Sequence, residues 1–575
     1  MYYMTELKLY KLWCEKAVDD TDLQAELKSI EGDNDAIIDR FYRDLEFGTG
    51  GLRGVIGAGA FRINIYTVRR ATQGLADYVN GAFENGSVAI AYDSRIKSDV
   101  FAKEAARVLA GNGIKVHLYS ELMPTPMLSF AVRELKCSAG IVVTASHNPG
   151  KYNGYKVYGD DGCQITLDVA NTVIGKINDV PMFDGAKLAD YDKSVADGMI
   201  KIISEDVIDK YLQKVSEQGV HTELVADSGL KVVYTPLNGT GNKPVRAILK
   251  NIGIKEVVVV PEQEHPDGNF PTCPFPNPEI TEALAYGLEL CKTEKPDLLL
   301  ATDPDADRVG IAVPAPDGSY VLFSGNEVGA MLLEYICKER IANGSMPENP
   351  VAVKTIVTTD IVRKICEKYN VELREVLTGF KFIGEQIGFL EDDGEENRYV
   401  FGFEESYGYL AGTYVRDKDA VVASMLICEM AAFYRTKGIT LLQARDEMYK
   451  TYGNYVHTQK SFTCEGASGM ERMKELMHML RTKTPTEIGG LKVLSFADYV
   501  ASTEKSFVTG ETKMLTLPKS DVLTFKLEKE ATVIIRPSGT EPKIKAYYTT
   551  IADLREDALK LEEIISNDFK EILGF

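Results

Sequence analysis

Short apolar, β-branched runs that end in a small polar residue recur along the 575-residue chain. Val88-Ala-Ile-Ala-Tyr-Asp93, Ile141-Val-Val-Thr144, Lys231-Val-Val-Tyr-Thr235, Val257-Val-Val-Val260, Leu298-Leu-Leu-Ala-Thr302 and Val351-Ala-Val-Lys-Thr355 all have this form. Continuous runs of this kind suit strands buried on both faces, as in parallel sheets. Helical patterns such as Asp99 to Gly111 and Pro244 to Gly253 separate them. Strand alternating with helix over hundreds of residues specifies α/β units. A chain this long exceeds one core, because domains usually hold about 100–150 residues. We therefore expect α/β domains with mixed or parallel sheets over 1–205, 206–319 and 320–454, and a smaller α+β domain over 455–575, where mixed strands and two helical stretches replace the alternation.

Composition narrows the function. Hydrophobic residues make up 45% and charged residues 26%, an ordinary globular balance. The net charge of −20 argues against a nucleic-acid or anionic-membrane surface. An anionic substrate must then meet a local positive patch. The nine cysteines are odd in number and form no CxxC pair, the usage of a reducing compartment. The start, MYYMTELKLYKLW, lacks the apolar core of a signal peptide. The longest apolar stretch, Val421 to Tyr434, contains Glu429 and is too short to span a bilayer. A cytoplasmic protein is expected.

In parallel α/β sheets ligands bind at the carboxyl ends of strands, and the distinctive clusters lie there. Thr144-Ala-Ser-His-Asn-Pro149 follows one apolar run. Ser146 is the candidate nucleophile. His147 stands beside it, although adjacency in sequence places it poorly as a base. The GxSxG elbow is absent. Thr302-Asp-Pro-Asp-Ala-Asp-Arg308 follows another run and brings Asp303, Asp305 and Asp307 within five residues. That much like charge is unfavourable unless a hard cation resolves it. The sequence fails as a calcium EF-hand, since Arg308 stands where Gly is required and Pro314 where Glu is required. Mg²⁺ suits a few carboxylates plus phosphate oxygens, and a phosphorylated Ser146 could supply one such oxygen.

Three further clusters carry weaker signals. In Arg536-Pro-Ser-Gly-Thr-Glu-Pro-Lys-Ile-Lys545, Arg536 offers a bidentate fork for phosphate, Ser538 and Thr540 offer hydroxyls, and Gly539 admits backbone N–H groups. Lys543 and Lys545 add charge. In Gly402-Phe-Glu-Glu-Ser-Tyr-Gly-Tyr409, Glu404 and Ser406 would share a face of an extended segment. Phe47-Gly-Thr-Gly-Gly-Leu-Arg-Gly54 presents Arg53 from a glycine-rich turn.

In this order the clusters resemble the α-D-phosphohexomutase family, in its phosphoglucomutase branch, and the resemblance spans essentially the whole chain. It implies three related α/β domains and a smaller C-terminal domain around a cleft. It implies interconversion of α-D-glucose 1-phosphate and glucose 6-phosphate through glucose 1,6-bisphosphate, with Mg²⁺ as cofactor; mannose or pentose phosphates are the alternative substrates. By resemblance Ser146 rests phosphorylated and joins Asp303, Asp305 and Asp307 in the metal site, with Arg308 steadying the phosphoserine. Arg53 and Lys156 look like the groups that assist proton transfer, and Lys418 of Arg416-Asp-Lys-Asp419 like a further basic active-site residue. Thr378 and Gly379 match the loop that reads sugar orientation, and Glu404 and Ser406 the sugar-hydroxyl loop. Arg536, Ser538, Gly539, Thr540 and Lys545 match the loop that grips the phosphate not being transferred. Sugar phosphates are the expected partners, without nucleic acid or membrane, for a monomer or weak homodimer.

Overall fold

The computed structural model describes residues 3–48, 50–464, 469–538 and 543–575. All six strand runs form strands. The first is β2 (Ser87–Tyr92), which lies in a six-stranded sheet with β1 (Gly51–Val55), β3 (Lys115–Leu118), β4 (Ala139–Val143), β5 (Tyr152–Gly159) and β6 (Ile200–Ile202). The order is β1-β5-β4-β2-β3-β6. The sheet is mixed, within the mixed or parallel class expected. β4, β2, β3 and β6 run parallel, whereas β5 is antiparallel to both β4 and β1. Every residue of β4 is buried, which explains its unbroken apolar sequence.

A second sheet has the order β11-β10-β9-β7-β8, built from β7 (Lys231–Thr235), β8 (Glu256–Val259), β9 (Leu298–Thr302), β10 (Val309–Pro314) and β11 (Tyr320–Phe323). Again the parallel part is extended by antiparallel strands, here β10 and β11. Both sheets lie in one compact unit of residues 1–325, 383–402 and 406–439. Within it, three N-terminal helices, Tyr3–Lys16, Thr21–Ser29 and Asn34–Phe41, precede the first sheet. Trp13 packs edge-on against Phe41, Tyr66 and Phe183 and joins them to the core. Burial of such a side chain contributes roughly 1.5–3 kcal/mol.

The long apolar stretch forms the buried helix Ala420–Thr436 of the same unit. Asp419 caps it by accepting from the N–H groups of Val421 and Val422. Glu429, the charge within that stretch, accepts from the backbone N–H groups of Val220 and His221 at 3.0 Å each. A buried carboxylate is thus satisfied by peptide donors. No described helix is long and apolar enough to cross a membrane. All nine cysteines are free thiols, and only Cys14 is exposed.

The second unit holds residues 326–382, 403–405 and 440–575. Its strands Val351–Thr355 and Glu372–Val376 pair in parallel, with the helix Ile361–Tyr369 between them. Its C-terminal part is an antiparallel sheet. Lys543–Ala552 pairs with Asn454–Thr463 on one side and Thr532–Pro537 on the other. The helices Gly469–Thr482 and Arg555–Leu573 accompany it, and Met473, Leu476, Phe525, Tyr548 and Phe569 share its core. This architecture agrees with the smaller α+β domain expected at the C-terminal end.

Candidate active site

The site in the first unit grows from two strand ends, those of β4 and β9, and from the paired strands β1 and β5. β4 delivers Thr144 and Ser146 onto a tight turn. Ser146 has φ of 51°, an uncommon left-handed conformation for a side-chain-bearing residue. Its N–H donates to Thr144 Oγ1 at 2.8 Å, and that hydroxyl donates to Asp93 Oδ2 at 2.6 Å. Gly154 of β5 crosses close behind, and a Cβ there would lie 2.3 Å from the Thr144 carbonyl oxygen. Only glycine permits that approach.

β5 pairs with β1 in a register that sets Arg53 opposite Gly154 and Gly51 opposite Lys156. Arg53 and Lys156 therefore project from one face of the sheet. Gly51, at φ 152°, has no room for a side chain, since a Cβ would meet the Tyr155 carbonyl oxygen at 2.0 Å. The glycines around Arg53 thus bring β1 against β5, a more specific role than flexibility. Arg53 Nη1 donates to Asn148 Oδ1 at 3.4 Å.

β9 ends at Thr302 and the chain turns tightly back into β10. The turn gathers Asp303, Asp305 and Asp307, each buried, with carboxylate oxygens within 4.8 Å of one another. Asp303 Oδ1 accepts from the N–H groups of Asp307 and Arg308, and Ala306 takes φ of 48°. Asp303 Oδ2 accepts from the Ser146 hydroxyl at 2.8 Å. His147 Nδ1 also lies 3.2 Å from Ser146 Oγ, so adjacency in sequence does not keep the ring away. Lys156 Nζ stands 3.0 Å from Asp305, and Lys418 Nζ stands 3.2 Å from Asp307. Arg308 forms an ion pair with Glu279 at 2.5 Å.

The electrostatics follow from burial. Burial, with Asp305 and Asp307 beside it, pushes Asp303 well above the usual carboxylate range. Asp307 is raised by burial and by Asp305. Burial acts on Asp305 as well, but Lys156 and hydrogen bonds from Asp303 and Thr125 overcome it and hold this carboxyl low. Burial and the charges of Arg308 and Arg53 keep His147 neutral, far below its ordinary value. Asp305 Oδ1 and Asp307 Oδ1 are buried and accept no hydrogen bond among the described residues. Hard, crowded, unsatisfied carboxylate oxygens beside a serine hydroxyl fit a divalent cation.

Models of the phosphoglucomutase/phosphomannomutase α/β/α domains I, II and III match residues 44–181, 209–318 and 324–452. A phosphoglucomutase of Staphylococcus aureus (strain bovine RF122) is 38% identical over 533 residues, 90% of this chain and 94% of the relative. The chain belongs to the phosphoglucomutase/phosphomannomutase family. A phosphoglucomutase of Staphylococcus aureus strain MRSA252 is 37% identical over 563 residues, 96% of this chain and 98% of the relative. The crystal structure of parafusin (phosphoglucomutase) from Paramecium, in its open form, has the same fold. Its TM-score is 0.69 at 19% identity, over 93% of this chain and 95% of that one. The fold is that of the family: three α/β domains and a C-terminal antiparallel-sheet domain.

The family's remaining motifs lie in or beside the second unit. Gly379, at φ 122°, donates its N–H to Glu404 Oε1 at 2.8 Å, so Glu404 stands on the Thr378-Gly379 turn. Thr378 Oγ1 is buried without a hydrogen-bond partner among the described residues. The segment is not extended through Ser406. The strand Tyr399–Glu404 stops at Glu404, and residues 405–407 make a turn with Tyr407 at φ 64°. Glu404 and Ser406 therefore do not share a strand face. Arg536 ends the strand Thr532–Pro537 opposite Lys545, and its Nε donates to Tyr547 Oη at 3.3 Å. Ser538 N–H donates to the Lys543 carbonyl at 2.8 Å. Gly539 and Thr540 lie outside the described residues.

Sequence reasoning missed four supporting residues of the first unit. Thr125, at the start of the helix Thr125–Glu134, donates both its N–H and its hydroxyl to Asp305 at 2.9 Å. Asp417 Oδ1 accepts from Lys418 Nζ at 2.9 Å, and its Oδ2 accepts from Tyr158 Oη at 2.7 Å. Arg95 holds the serine turn. Asp417 stands inside Arg416-Asp-Lys-Asp419 and Tyr158 two residues after Lys156, but nothing in their spacing marks them. Thr125 and Arg95 carried no local signal.

Proposed function

We propose that the chain is a phosphoglucomutase, interconverting α-D-glucose 1-phosphate and glucose 6-phosphate through a phosphorylated Ser146. The observation that carries this reading is the Ser146 hydroxyl, 2.8 Å from Asp303 at the edge of a buried carboxylate cluster. Relatives named phosphoglucomutase that align over nine-tenths of the chain support it.

In the forward direction the bond from phosphorus to Ser146 Oγ breaks and a bond to O6 of glucose 1-phosphate forms. The resulting glucose 1,6-bisphosphate turns round. Its O1 phosphoryl group then passes to Ser146 Oγ, releasing glucose 6-phosphate. Asp303, Asp305 and Asp307, with Ser146, would hold Mg²⁺, which when bound neutralises charge on the transferring group. Lys156 and Arg53, on one face of the sheet, place positive charge beside the incoming hydroxyl and assist its deprotonation. When Ser146 is free, two acceptors stand within reach of its proton: Asp303 Oδ2 at 2.8 Å and the neutral His147 ring at 3.2 Å. Lys418, held by Asp417, adds a further cation. Arg308 steadies the phosphoserine. Thr378, Gly379, Glu404 and Ser406 hold sugar hydroxyls, and Arg536, Ser538, Gly539, Thr540 and Lys545 grip the phosphate that is not being transferred. The nine free thiols fit a reducing, cytoplasmic setting.

The test is a coupled assay of glucose 1-phosphate conversion with and without catalytic glucose 1,6-bisphosphate. Formation of glucose 6-phosphate that depends on the bisphosphate is expected. Release of inorganic phosphate without glucose 6-phosphate overturns the mutase reading and favours a phosphohydrolase.

A further inference from the structure

We infer that Arg95 is a positioning residue for the phosphoryl-carrying serine: its guanidinium clamps the Ser146 turn in the strained conformation that aims Oγ at the carboxylate cluster. The inference rests on the mutase reading and goes past it, to what holds the nucleophile in place.

A side-chain-bearing residue at φ 51° persists only where its surroundings over-determine it. Arg95 supplies that constraint. Its side chain is wholly buried. Nη2 donates to the carbonyl of Ser146 itself and, at 2.5 Å, to that of Asn148. Nη1 donates to the carbonyls of Pro149 and Tyr152, at 3.0 Å each. Four carbonyls of residues 146–152 thus converge on a single guanidinium.

The other side of Ser146 is tied to the same pair of residues. Ser146 N–H reaches Thr144 Oγ1, and that hydroxyl reaches Asp93. Asp93 accepts from the Arg95 N–H at 2.9 Å and forms an ion pair with Arg95 Nε at 3.3 Å. The peptide bonds before and after Ser146 are therefore closed into one loop through Asp93 and Arg95. No N–H of Arg95 is bonded to Oγ, so the residue acts through the backbone.

Arg95 is itself fixed. Its guanidinium lies over the Phe270 ring, 5.1 Å from the centroid. Gly268 seats that loop so closely that a Cβ there would lie 2.4 Å from the Ile96 nitrogen. Two residues on, Lys97 is held by Asp20 at 2.7 Å and Asp22 at 2.8 Å from the N-terminal helices. A planar guanidinium presents its donors in a fixed fork, whereas an ammonium offers three donors about one point. Lysine can replace the charge but not the four-carbonyl geometry. Two phosphoryl transfers in opposite directions require Oγ at one place, and a displacement of about 1 Å can cost about 100-fold in rate.

The experiment compares full-length Arg95→Met and Arg95→Lys with the parent and with Ser146→Ala. Circular dichroism and thermal melting first establish folding. For Arg95→Met, kcat for glucose 1-phosphate is expected to fall about 100-fold, with KM within about threefold. Arg95→Lys is expected to recover part of that loss. A merely structural role would lower the active fraction and the melting temperature together, so kcat is expressed per enzyme that accepts a phosphoryl group, counted by intact mass. A folded Arg95→Met or Arg95→Lys with kcat within about twofold of the parent overturns the proposal. If Arg95→Met does not fold, Arg95→Lys decides: a tenfold lower kcat at unchanged KM supports the clamp. A parent without mutase activity or phosphoserine sinks the function and the clamp together, whereas an active parent beside an unimpaired Arg95→Lys sinks only the clamp.

Discussion

Ser146 Oγ donates a 2.8 Å hydrogen bond to Asp303 although 157 residues separate them in the chain. This contact joins the end of β4 to the end of β9, two strands of different sheets. It places the candidate nucleophile beside the candidate metal ligands.

Replacing Ser146 by Ala should abolish turnover. Incubation with radiolabelled glucose 1,6-bisphosphate should label the parent and leave the variant unlabelled. Retained turnover in S146A ends the nucleophile assignment.

Asp307→Asn should separate metal binding from stability. In chelator the variant is expected to melt higher, by roughly 1–2 °C per kcal/mol of relieved repulsion, because burial and Asp305 already raise Asp307. Added Mg²⁺ should raise the melting temperature of the parent through binding and leave the variant unmoved. An equal Mg²⁺ response in both removes Asp307 from the site.

Arg536→Ala should weaken substrate binding more than turnover, with KM rising about tenfold or more for loss of a charge-assisted phosphate contact. Initial-rate kinetics provide the check, and an unchanged KM removes Arg536 from the phosphate grip. Lys545, its neighbour across the strands, keeps the variant charged at this end of the two strands.

Stability should fall in mild acid through His457. Burial lowers this ring from 6.5 to about 4, and its Nδ1 lies 2.9 Å from Thr549 Oγ1. Between those values the unfolded chain binds a proton that the folded chain refuses. Stability therefore declines as pH falls from about 6.5 towards 4, by on the order of 2 kcal/mol between pH 7 and pH 5. His457→Asn should lose less over that interval in urea melts of the C-terminal transition. Identical losses in parent and variant would show that this ring is not held neutral.

Much of the site was legible because its chemistry is local. TASHNP, DPDADR and RPSGTEPK each compress their functional groups into a few residues, and the apolar runs before them mark strand ends. The strands expected from Val88, Ile141, Lys231, Val257, Leu298 and Val351 all exist. Two features lie beyond local pattern. Glu404 and Ser406 would share a face only in an extended segment, whereas the chain turns at 405–407 with Tyr407 in a left-handed conformation. Both sheets are mixed, within the expected class; local pattern does not mark which strands run antiparallel, because the direction of β5 and β10 is set by the short connections that lead into them.

What the sequence determined by itself was the alphabet of the site: a serine on a tight turn, three alternating aspartates, basic residues after strands, and the α/β units that carry them. Periodicity and turn chemistry act over a few residues, so they are written in local order. Tertiary structure alone decided which strand ends meet. It brought Thr125 to Asp305, Asp417 to Lys418 and Tyr158, and the Arg95 guanidinium to four carbonyls of residues 146–152. Except for the adjacent Asp417 and Lys418, those pairings join residues far apart in the chain. Burial makes each obligatory, since a polar group removed from water must find its partner wherever the fold supplies one.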